Sequence, residues 1–190
     1  MKYFTSDLEF NSKTLAEKRG FSSAQEMNEY ILDSIFTHMR RGDHLYILGN
    51  LAVGENEKVA EILDKFKFEK IHLHLIMGDK DKRANNGIHH YFDSVNFVKT
   101  VKIHTVRTIL HHYPMVIWPG SDHNSWLLYG HLGKNELGSY IEDNFIFGKS
   151  LNVHAELHDY TPLSEDEVYI LLEEALDNVD FNFIKKRKNR

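Results

Sequence analysis

The first 80 residues alternate between short apolar segments and amphipathic segments, and this alternation constrains the fold more than any other feature. Strands are predicted over residues 2–6, 44–48 and 71–77. Between them, apolar residues recur at helical spacing over 23–40 and 56–66. A β-α-β-α-β order is typical of a parallel sheet, because parallel neighbours need a long crossover connection.

The second half of the chain is dominated by shorter apolar segments. Strand patterns are predicted at 97–104, 106–111, 125–129, 144–147 and 151–157. Most of them are separated by Gly or by Asp and Asn clusters, which favours largely antiparallel pairing. A last helix is predicted to begin at Ser164, with Glu167 completing its cap. We therefore expect an α/β protein with two sheets, one begun by βαβ units and one largely antiparallel, and with helices outside.

Composition and charge exclude several classes of protein. The chain has no cysteine, which excludes disulfide scaffolds, thiolate zinc sites and cysteine nucleophiles. Its 23 basic and 28 acidic residues leave a net charge of −5, which argues against coating nucleic acid by charge. No apolar run approaches the ~18 residues needed to span a bilayer, and no signal peptide is apparent, so we expect no membrane partner and a cytoplasmic location. We expect one domain over residues 1–184 and a basic tail over 185–190.

Polar residues cluster where the predicted strands end. Five loops that each begin where a strand stops contribute an Asp, Glu, Asn or His. The residues, in chain order, are Asp7, Glu9, Asn50, Asp79, Lys80, Asp81, His111, His112 and His131. In open α/β sheets the carboxyl ends of the strands form the ligand-binding edge, and carboxylates and imidazoles are metal ligands. The pattern therefore indicates a metal site on this edge.

Several of these segments resemble the calcineurin-like metallophosphoesterases, in particular the small single-domain members found in bacteria and their phages. The segments that carry the resemblance are residues 4–8 (Phe-Thr-Ser-Asp-Leu), 46–49, 112–114 and 128–131. The resemblance implies a sandwich of two mixed β-sheets flanked by helices. It also implies hydrolysis of phosphoesters by two adjacent divalent metals, which polarise the phosphoryl oxygens and generate hydroxide from bound water.

The chain departs from the motif of that family at five positions. The family motif is Asp-x-His, Gly-Asp, Gly-Asn-His-Asp/Glu, a lone His and Gly-His-x-His. The residues that replace His, Asp, Asn, His and His of this motif are Glu9, Asn50, Asp79, Lys80 and Gly133. Neutral Asn50 cannot bridge two dications as a carboxylate does, and Gly133 offers no ligand. A two-metal centre is therefore not expected.

The residues that remain could hold at most one metal. By the resemblance, Asn50, Asp79, His112 and His131 would hold it, and Mn, Zn or Fe would suit the set. The absence of any metal is the alternative. Asp7 is then a vestigial ligand of the lost metal position.

Lys80 stands where the family has its catalytic histidine. A protonated ammonium has three donors and no lone pair, so it can neither accept a proton nor ligate a metal. We expect Lys80 to lie near Asp7, Glu9, Asp79 and Asp81 and to supply positive charge that a metal supplies in active relatives. An exposed loop position without a function is the alternative.

These departures favour a pseudoenzyme, a catalytically dead or strongly impaired phosphatase-type hydrolase. It would act by binding a phosphate-bearing small molecule or a partner protein. The alternative is an active phosphoesterase with one metal, in which Lys80 stabilises phosphate charge and Glu9 acts as a base. His111 and Lys80 are the candidate substrate contacts. A structural or interaction module that makes no use of the cleft is a third possibility.

The chain contains 13 histidines, and most lie outside these motifs. We interpret His44, His72, His74 and His154 as surface residues or as core histidines whose hydrogen bonds are satisfied.

Overall fold

Two β-sheets with helices outside them form the framework of the computed structural model, which describes residues 1–81, 85–145 and 148–174. The strands of the first sheet are β1 (Lys2–Thr5), β2 (His44–Ile47), β3 (His72–Ile76), β4 (Ser94–Asn96) and β9 (Leu163–Ser164). Their order is β4-β3-β2-β1-β9, and β9 alone is antiparallel to its neighbour. The predicted βαβ units therefore do form a parallel sheet.

The second sheet is mixed. Its strands, in spatial order, are β5 (Val98–Ile103), β6 (Val106–His111), β7 (Trp126–Tyr129) and β8 (Ser150–Asn152). Only the hairpin of β5 and β6 is antiparallel, whereas β6 with β7 and β7 with β8 are parallel. The prediction of a largely antiparallel sheet was therefore wrong. The segments 112–125 and 130–149 are long enough to return the chain to the same end of the sheet, as parallel neighbours require.

The helices are α1 (Lys13–Lys18), α2 (Ala24–His38), α3 (Asn56–Glu69), α4 (Asn85–Ile88), α5 (Glu136–Phe145) and α6 (Glu165–Glu174). Two of them confirm the helices predicted from periodicity over 23–40 and 56–66. The predicted cap of the last helix is also present. Glu167 Oε2 accepts the backbone N–H of Ser164 at 2.8 Å, and Ser164 Oγ accepts that of Glu167 at 3.2 Å.

Two local predictions need correction, and one helix was not predicted. The strand predicted over 144–147 falls on the end of α5 as far as residue 145, and residues 146–147 lie outside the described residues. The side-chain oxygen of Asn135 accepts the N–H of Gly138 at 2.9 Å and so supports the first turn of that helix. The strand predicted over 151–157 ends at residue 152 and is followed by a 3-10 turn, Ala155–His158. Helix α1, which the periodicity did not indicate, begins after a cap by Ser12.

Both faces of the first sheet carry buried apolar side chains, while its polar residues, such as Lys2, His44 and His72, lie mainly at the amino ends of the strands. One face carries Phe4 and Tyr46 and packs on the second sheet through Trp126. The other face carries Leu45 and packs against the outer helices through Ile31 and other apolar side chains. The last residues of the predicted final helix and the tail 185–190 lie outside the described residues. Within the described ranges, no helix combines the length and apolar character that crossing a membrane requires.

Candidate functional site

The carboxyl ends of the first three strands meet at one edge of the sheet, as parallel strands must. Asp7 follows β1, Asn50 follows β2 and Asp79 follows β3. The loops are joined by backbone hydrogen bonds, since the N–H of Asp7 donates to Gly49 O and that of Glu9 donates to Asn50 O, both at 2.9 Å. The structure therefore brings these predicted site residues together.

Four of the predicted site residues have a left-handed backbone. Their φ angles are 55° at Asp7, 53° at Glu9, 50° at Asn50 and 68° at His131. This conformation costs a residue with a side chain about 1–2 kcal/mol, and such residues cluster at ligand-binding sites. All four of these residues line one cleft at the edge of the sheet.

Gly49 allows His112 to approach the end of β2. Its φ is +88°, and an added Cβ would lie 2.3 Å from His112 Nδ1. Gly78, at the end of β3, is similarly constrained, because its Cβ would lie 2.6 Å from Asn50 Oδ1. Both positions require glycine so that the imidazole and the amide can reach the centre of the site.

His112 is oriented as a metal ligand. It is fully buried, and its Nδ1–H donates to the carbonyl of Leu48 at 2.7 Å. Since Nδ1 carries the proton, the lone pair of a neutral His112 would be on Nε2, on the side of His131 and Asp79. His112 Nε2 lies 3.2 Å from His131 Nδ1 and 3.5 Å from Asp79 Oδ1. Ligand atoms of these three residues all lie within 4.8 Å of one another.

The charge states of His131 and Asp79 are also those of metal ligands. Burial and the neighbouring His112 lower the pKa of His131, so its imidazole is neutral at pH 7. Burial opposes the charge of Asp79, yet a hydrogen bond from Asn50 and the nearby imidazoles hold its pKa below the usual value. Metals bind neutral imidazole and ionised carboxylate, so no proton needs to leave first.

Lys80 lies in the cleft and forms an ion pair with Glu9. The Glu9 side chain is 5% exposed and that of Lys80 is 49% exposed. Burial raises the pKa of Glu9, and the Lys80 ammonium opposes this effect. The ammonium therefore compensates the buried carboxylate of Glu9, one of the four acids near which Lys80 was expected.

Asp81 is a structural residue. Its carboxylate accepts the backbone N–H groups of Asn50, Leu51 and Gly78 at 2.8, 3.0 and 2.7 Å. It is buried and ties the loop after β2 to the loop after β3. Three amide donors compensate its charge, so it does not need Lys80.

Asn50 and Asp7 are joined by a direct hydrogen bond that needs no metal between them. Asn50 Nδ2 donates to Asp7 Oδ1 at 3.0 Å, and Asn50 Oδ1 accepts the backbone N–H of Lys80 at 3.2 Å. The backbone N–H of His131 donates to Asp7 Oδ2 at 2.8 Å. Both oxygens of Asp7 and both polar atoms of the Asn50 amide are therefore engaged in hydrogen bonds within the protein.

His154 is a cleft residue that the sequence motifs did not indicate. It is 6% exposed, and its Nδ1 accepts the N–H of Glu156 at 3.3 Å. The proton of neutral His154 is therefore on Nε2, which lies 4.0 Å from Asp7 Oδ2. A Cβ added at Gly133 would lie 3.2 Å from this nitrogen. His154 thus lies beside the position at which Gly133 has no side chain.

Arg19 is a second residue that the motifs did not indicate. Its side chain is 3% exposed and forms an ion pair with Glu156. It also donates to the carbonyl oxygens of Asp7 at 2.8 Å and Leu8 at 3.1 Å. Arg19 thereby fixes the loop that carries Asp7, and only its place in the tertiary structure identifies it.

His111 does not line the cleft. Its Nδ1 lies 2.9 Å from the carbonyl oxygen of Tyr113, two residues further along the chain. Adjacent residues of a strand point to opposite faces, so the inward orientation of His112 turns His111 away.

The cleft has a volume of about 280 Å³ and is almost electrically balanced. Four carboxylates line it, those of Asp7, Glu9, Asp79 and Glu156. Three cations line it as well, those of Arg19, Lys80 and Lys134. With neutral histidines the lining therefore carries one net negative charge.

This fold and site define an α/β protein with two mixed sheets and a polar cleft at the carboxyl edge of the parallel strands. No family model matches the chain. It is 27% identical over 177 residues to the uncharacterized protein MJ1445 of Methanocaldococcus jannaschii, covering 91% of this chain and 92% of that protein. The crystal structure of the protein of unknown function AQ665 from Aquifex aeolicus has a TM-score of 0.71 and 28% identity, covering 90% of this chain and 98% of that chain.

Proposed function

We propose that this protein is a metallophosphoesterase-type protein that holds one divalent metal and binds a phosphate-bearing small molecule, with little or no hydrolysis. The observation that carries the proposal is the arrangement of Asp79, His112 and His131, whose ligand atoms lie within 4.8 Å of one another. Two imidazoles and a carboxylate suit Mn, Fe or Zn and leave positions open for water or a phosphate oxygen. The carbonyl of Leu48 would orient His112, as hydrogen-bond acceptors behind metal-binding imidazoles do.

A second metal beside the first is disfavoured by three neighbours. Asn50 is neutral and its amide nitrogen donates to Asp7, so no carboxylate is available to bridge two ions. His154 presents an N–H and not a lone pair on the side of Gly133. The ammonium of Lys80 lies on Glu9 and would repel a further cation.

The charge of the cleft favours an anionic ligand once one metal is bound. The four carboxylates exceed the three cations by one charge, so one dication would change the net charge of the lining from −1 to +1. A phosphate oxygen on the metal could accept hydrogen bonds from the Nε2–H of His154 and from Lys80. Phosphate binding is therefore expected to depend on the metal.

From the same residues we expect hydrolysis to be slow or absent. One metal supplies Lewis acidity but does not clamp both the attacking and the leaving oxygen, as a pair of metals does. By the resemblance, Lys80 stands in place of the catalytic imidazole, and an ammonium is a poorer proton donor to a leaving group than an imidazolium. Loss of a general acid alone lowers a rate by roughly 10²–10⁴-fold.

One observation favours a second candidate, an active phosphoesterase with one metal. Burial raises the pKa of Glu9, which moves it towards the range in which a carboxylate is an effective general base. Glu9 and Asp79 line the same cleft, so Glu9 could activate water while Lys80 stabilises charge on the phosphate.

Isothermal titration calorimetry with inorganic phosphate tests the proposal. Metal-depleted protein should bind phosphate weakly, and saturating Mn²⁺ should raise its affinity at least tenfold. His131→Ala should abolish the gain, whereas His111→Ala, which alters a neighbouring histidine outside the cleft, should retain it. Phosphate binding that is indifferent to Mn²⁺ would overturn the proposal.

Turnover of bis-p-nitrophenyl phosphate separates the two candidates. Protein with excess Mn²⁺ should show no hydrolysis above a protein-free blank. Hydrolysis that is abolished by chelator and by Glu9→Gln would favour the active phosphoesterase. The matched variant Glu29→Gln, on the outer face of α2, controls for the substitution itself.

A further inference from the structure

A second group of metal-binding side chains lies at the opposite end of the first sheet. His44 is the first residue of β2, His74 is the third residue of β3, and Asp93 directly precedes β4. The cleft lies beyond the carboxyl ends of these strands, whereas this group lies towards their amino ends. Among the described residues, it is one of two groups whose ligand atoms lie within 4.8 Å of one another.

The register of β2 and β3 brings the two histidines of this group together. His44 pairs with His72, and Tyr46 pairs with His74, so all four side chains lie on the same face of adjacent parallel strands. The rings form a stack, with centroids 4.6 Å apart for His44 and His72 and 4.3 Å apart for Tyr46 and His74. The stack holds each imidazole in one orientation.

The distances suit one tetrahedral ion. His44 Nδ1 lies 3.0 Å from His74 Nε2. Two imidazole nitrogens on a tetrahedral zinc are about 3.3 Å apart, given zinc–nitrogen bonds of about 2.0–2.1 Å. Small side-chain movements would therefore replace the contact between the two nitrogens by a shared ion.

Neighbouring groups orient the three ligands. Ser94 Oγ lies 2.9 Å from His74 Nδ1 and can accept its proton, which leaves the lone pair on Nε2. His72 Nδ1 lies 2.7 Å from Asp93 Oδ2 and holds that carboxylate beside the imidazoles. Hydrogen bonds of this kind fix the orientation of metal ligands in proteins. His74 is buried, while Asp93 is exposed, so water could complete the coordination.

We propose that His44, His74 and Asp93 form a zinc site that joins β2, β3 and the segment before β4. Two imidazoles and a carboxylate are ligands that Zn²⁺ accepts, whereas Mn²⁺ prefers oxygen. The site has no place in the cleft chemistry and is independent of the proposed function. A structural ion here would stabilise the sheet, because binding to the folded state alone raises stability.

Three nearby cations are held by other contacts. The amino group of Met1 pairs with Asp43 at 2.8 Å, and Lys2 pairs with Glu165 at 2.7 Å. Lys99 Nζ donates to Ser94 Oγ at 3.0 Å. Ser94 thus holds Lys99 on the Nδ1 side of the His74 imidazole, away from the Nε2 that would bind the ion.

Zinc titration of the full-length chain and its variants tests the site. Wild-type protein should bind two Zn²⁺, one in the cleft and one here. His131→Ala should retain one, and adding His44→Ala should remove it. Adding His38→Ala, which alters an exposed histidine at the end of α2, should leave it in place. Asp93→Asn, at an exposed position, should keep the fold and weaken the remaining zinc at least tenfold.

The outcomes separate this site from the cleft. If the cleft holds no zinc, wild type and His131→Ala bind the same single ion, and the inference stands. If His131→Ala binds no zinc, or if its zinc survives His44→Ala, the inference fails. Anomalous diffraction at the zinc edge should place the ion between His44 Nδ1 and His74 Nε2.

Discussion

Replacing Asn50 by aspartate tests how the cleft is stabilised without a metal. In the wild-type protein, Asn50 Nδ2 donates to Asp7 Oδ1 at 3.0 Å, and both residues are buried. A hydrogen bond to a charged group contributes about 1.5–3 kcal/mol. The substitution Asn50→Asp removes this bond and places a second carboxylate against the first.

The size of the effect is limited by protonation. Two unit charges 3.0 Å apart repel by about 5.5 kcal/mol at an effective dielectric constant of about 20. The protein can avoid this by protonating one carboxyl, which costs about 4 kcal/mol at pH 7 for an ordinary pKa of about 3.9. We therefore expect Asn50→Asp to lower the free energy of unfolding by up to about 4 kcal/mol at pH 7 in chelator.

The effect should depend on pH with a definite sign. The introduced carboxyl has a folded pKa above its unfolded pKa, so its penalty is absent below the unfolded pKa and grows as pH rises. At pH 5 the cost of protonation is only about 1.5 kcal/mol. Excess Mn²⁺ should recover much of the lost stability at pH 7, because a dication can lie between the two carboxylates.

Urea denaturation at pH 5 and pH 7, with EDTA, measures this effect. Asn28→Asp is the matched control, since Asn28 Nδ2 donates to the neutral Oδ1 of Asn11 at 2.7 Å. The control should lose about 1 kcal/mol at both pH values. If Asn50→Asp is as stable as the control at pH 7, or loses the same amount at both pH values, the account of the cleft given above is wrong.

Three further substitutions test other parts of the site. Gly49→Ala should lower stability by about 2–4 kcal/mol and weaken metal binding in the cleft, because the new Cβ would lie 2.3 Å from His112 Nδ1; Gly42→Ala, with the same φ of +88° and open space around it, should lose only about 1 kcal/mol in the same urea titration. Asp81→Asn should lower stability by about 2–4 kcal/mol, since an amide cannot accept three backbone N–H groups as a carboxylate does. If the amides of Asn50, Leu51 and Gly78 are as well protected against hydrogen exchange in the variant as in the wild type, this prediction is wrong. Lys80→Met should destabilise the protein by about 1–3 kcal/mol at pH 7, because it leaves a buried carboxylate unpaired. Without Lys80 the pKa of Glu9 would be raised further, so the loss of stability should shrink as pH falls from 7 to 5. A loss of stability that is equal at both pH values would contradict the ion pair.

The parallel sheet and the first half of the candidate site could be predicted because the signals are local. Helical periodicity identifies α2 and α3, a cap at Ser23 marks the start of α2, and a glycine or a polar residue comes soon after each of the first three strands. A parallel arrangement brings the ends of such strands to one edge. Asp7, Asn50 and Asp79 were therefore expected together before any contact was known.

The second sheet could not be predicted in the same way. Apolar alternation identified β5, β6 and β7, but it does not indicate whether neighbouring strands pair parallel or antiparallel. The strand prediction failed at residues 144–145 for a related reason, because a short apolar run fits a strand or a helix equally well, and these residues end a helix that Asn135 helps to start.

The sequence alone determined which loops carry candidate ligands, since the period of apolar residues shows where each buried strand ends and where polar side chains begin. The tertiary structure alone decided what those loops face. His154 and Arg19 enter the cleft from distant segments, and the contact of His44 with His74 arises from strand register. Periodicity is a property of neighbouring residues, whereas register, tautomer and charge compensation depend on residues that only folding brings together.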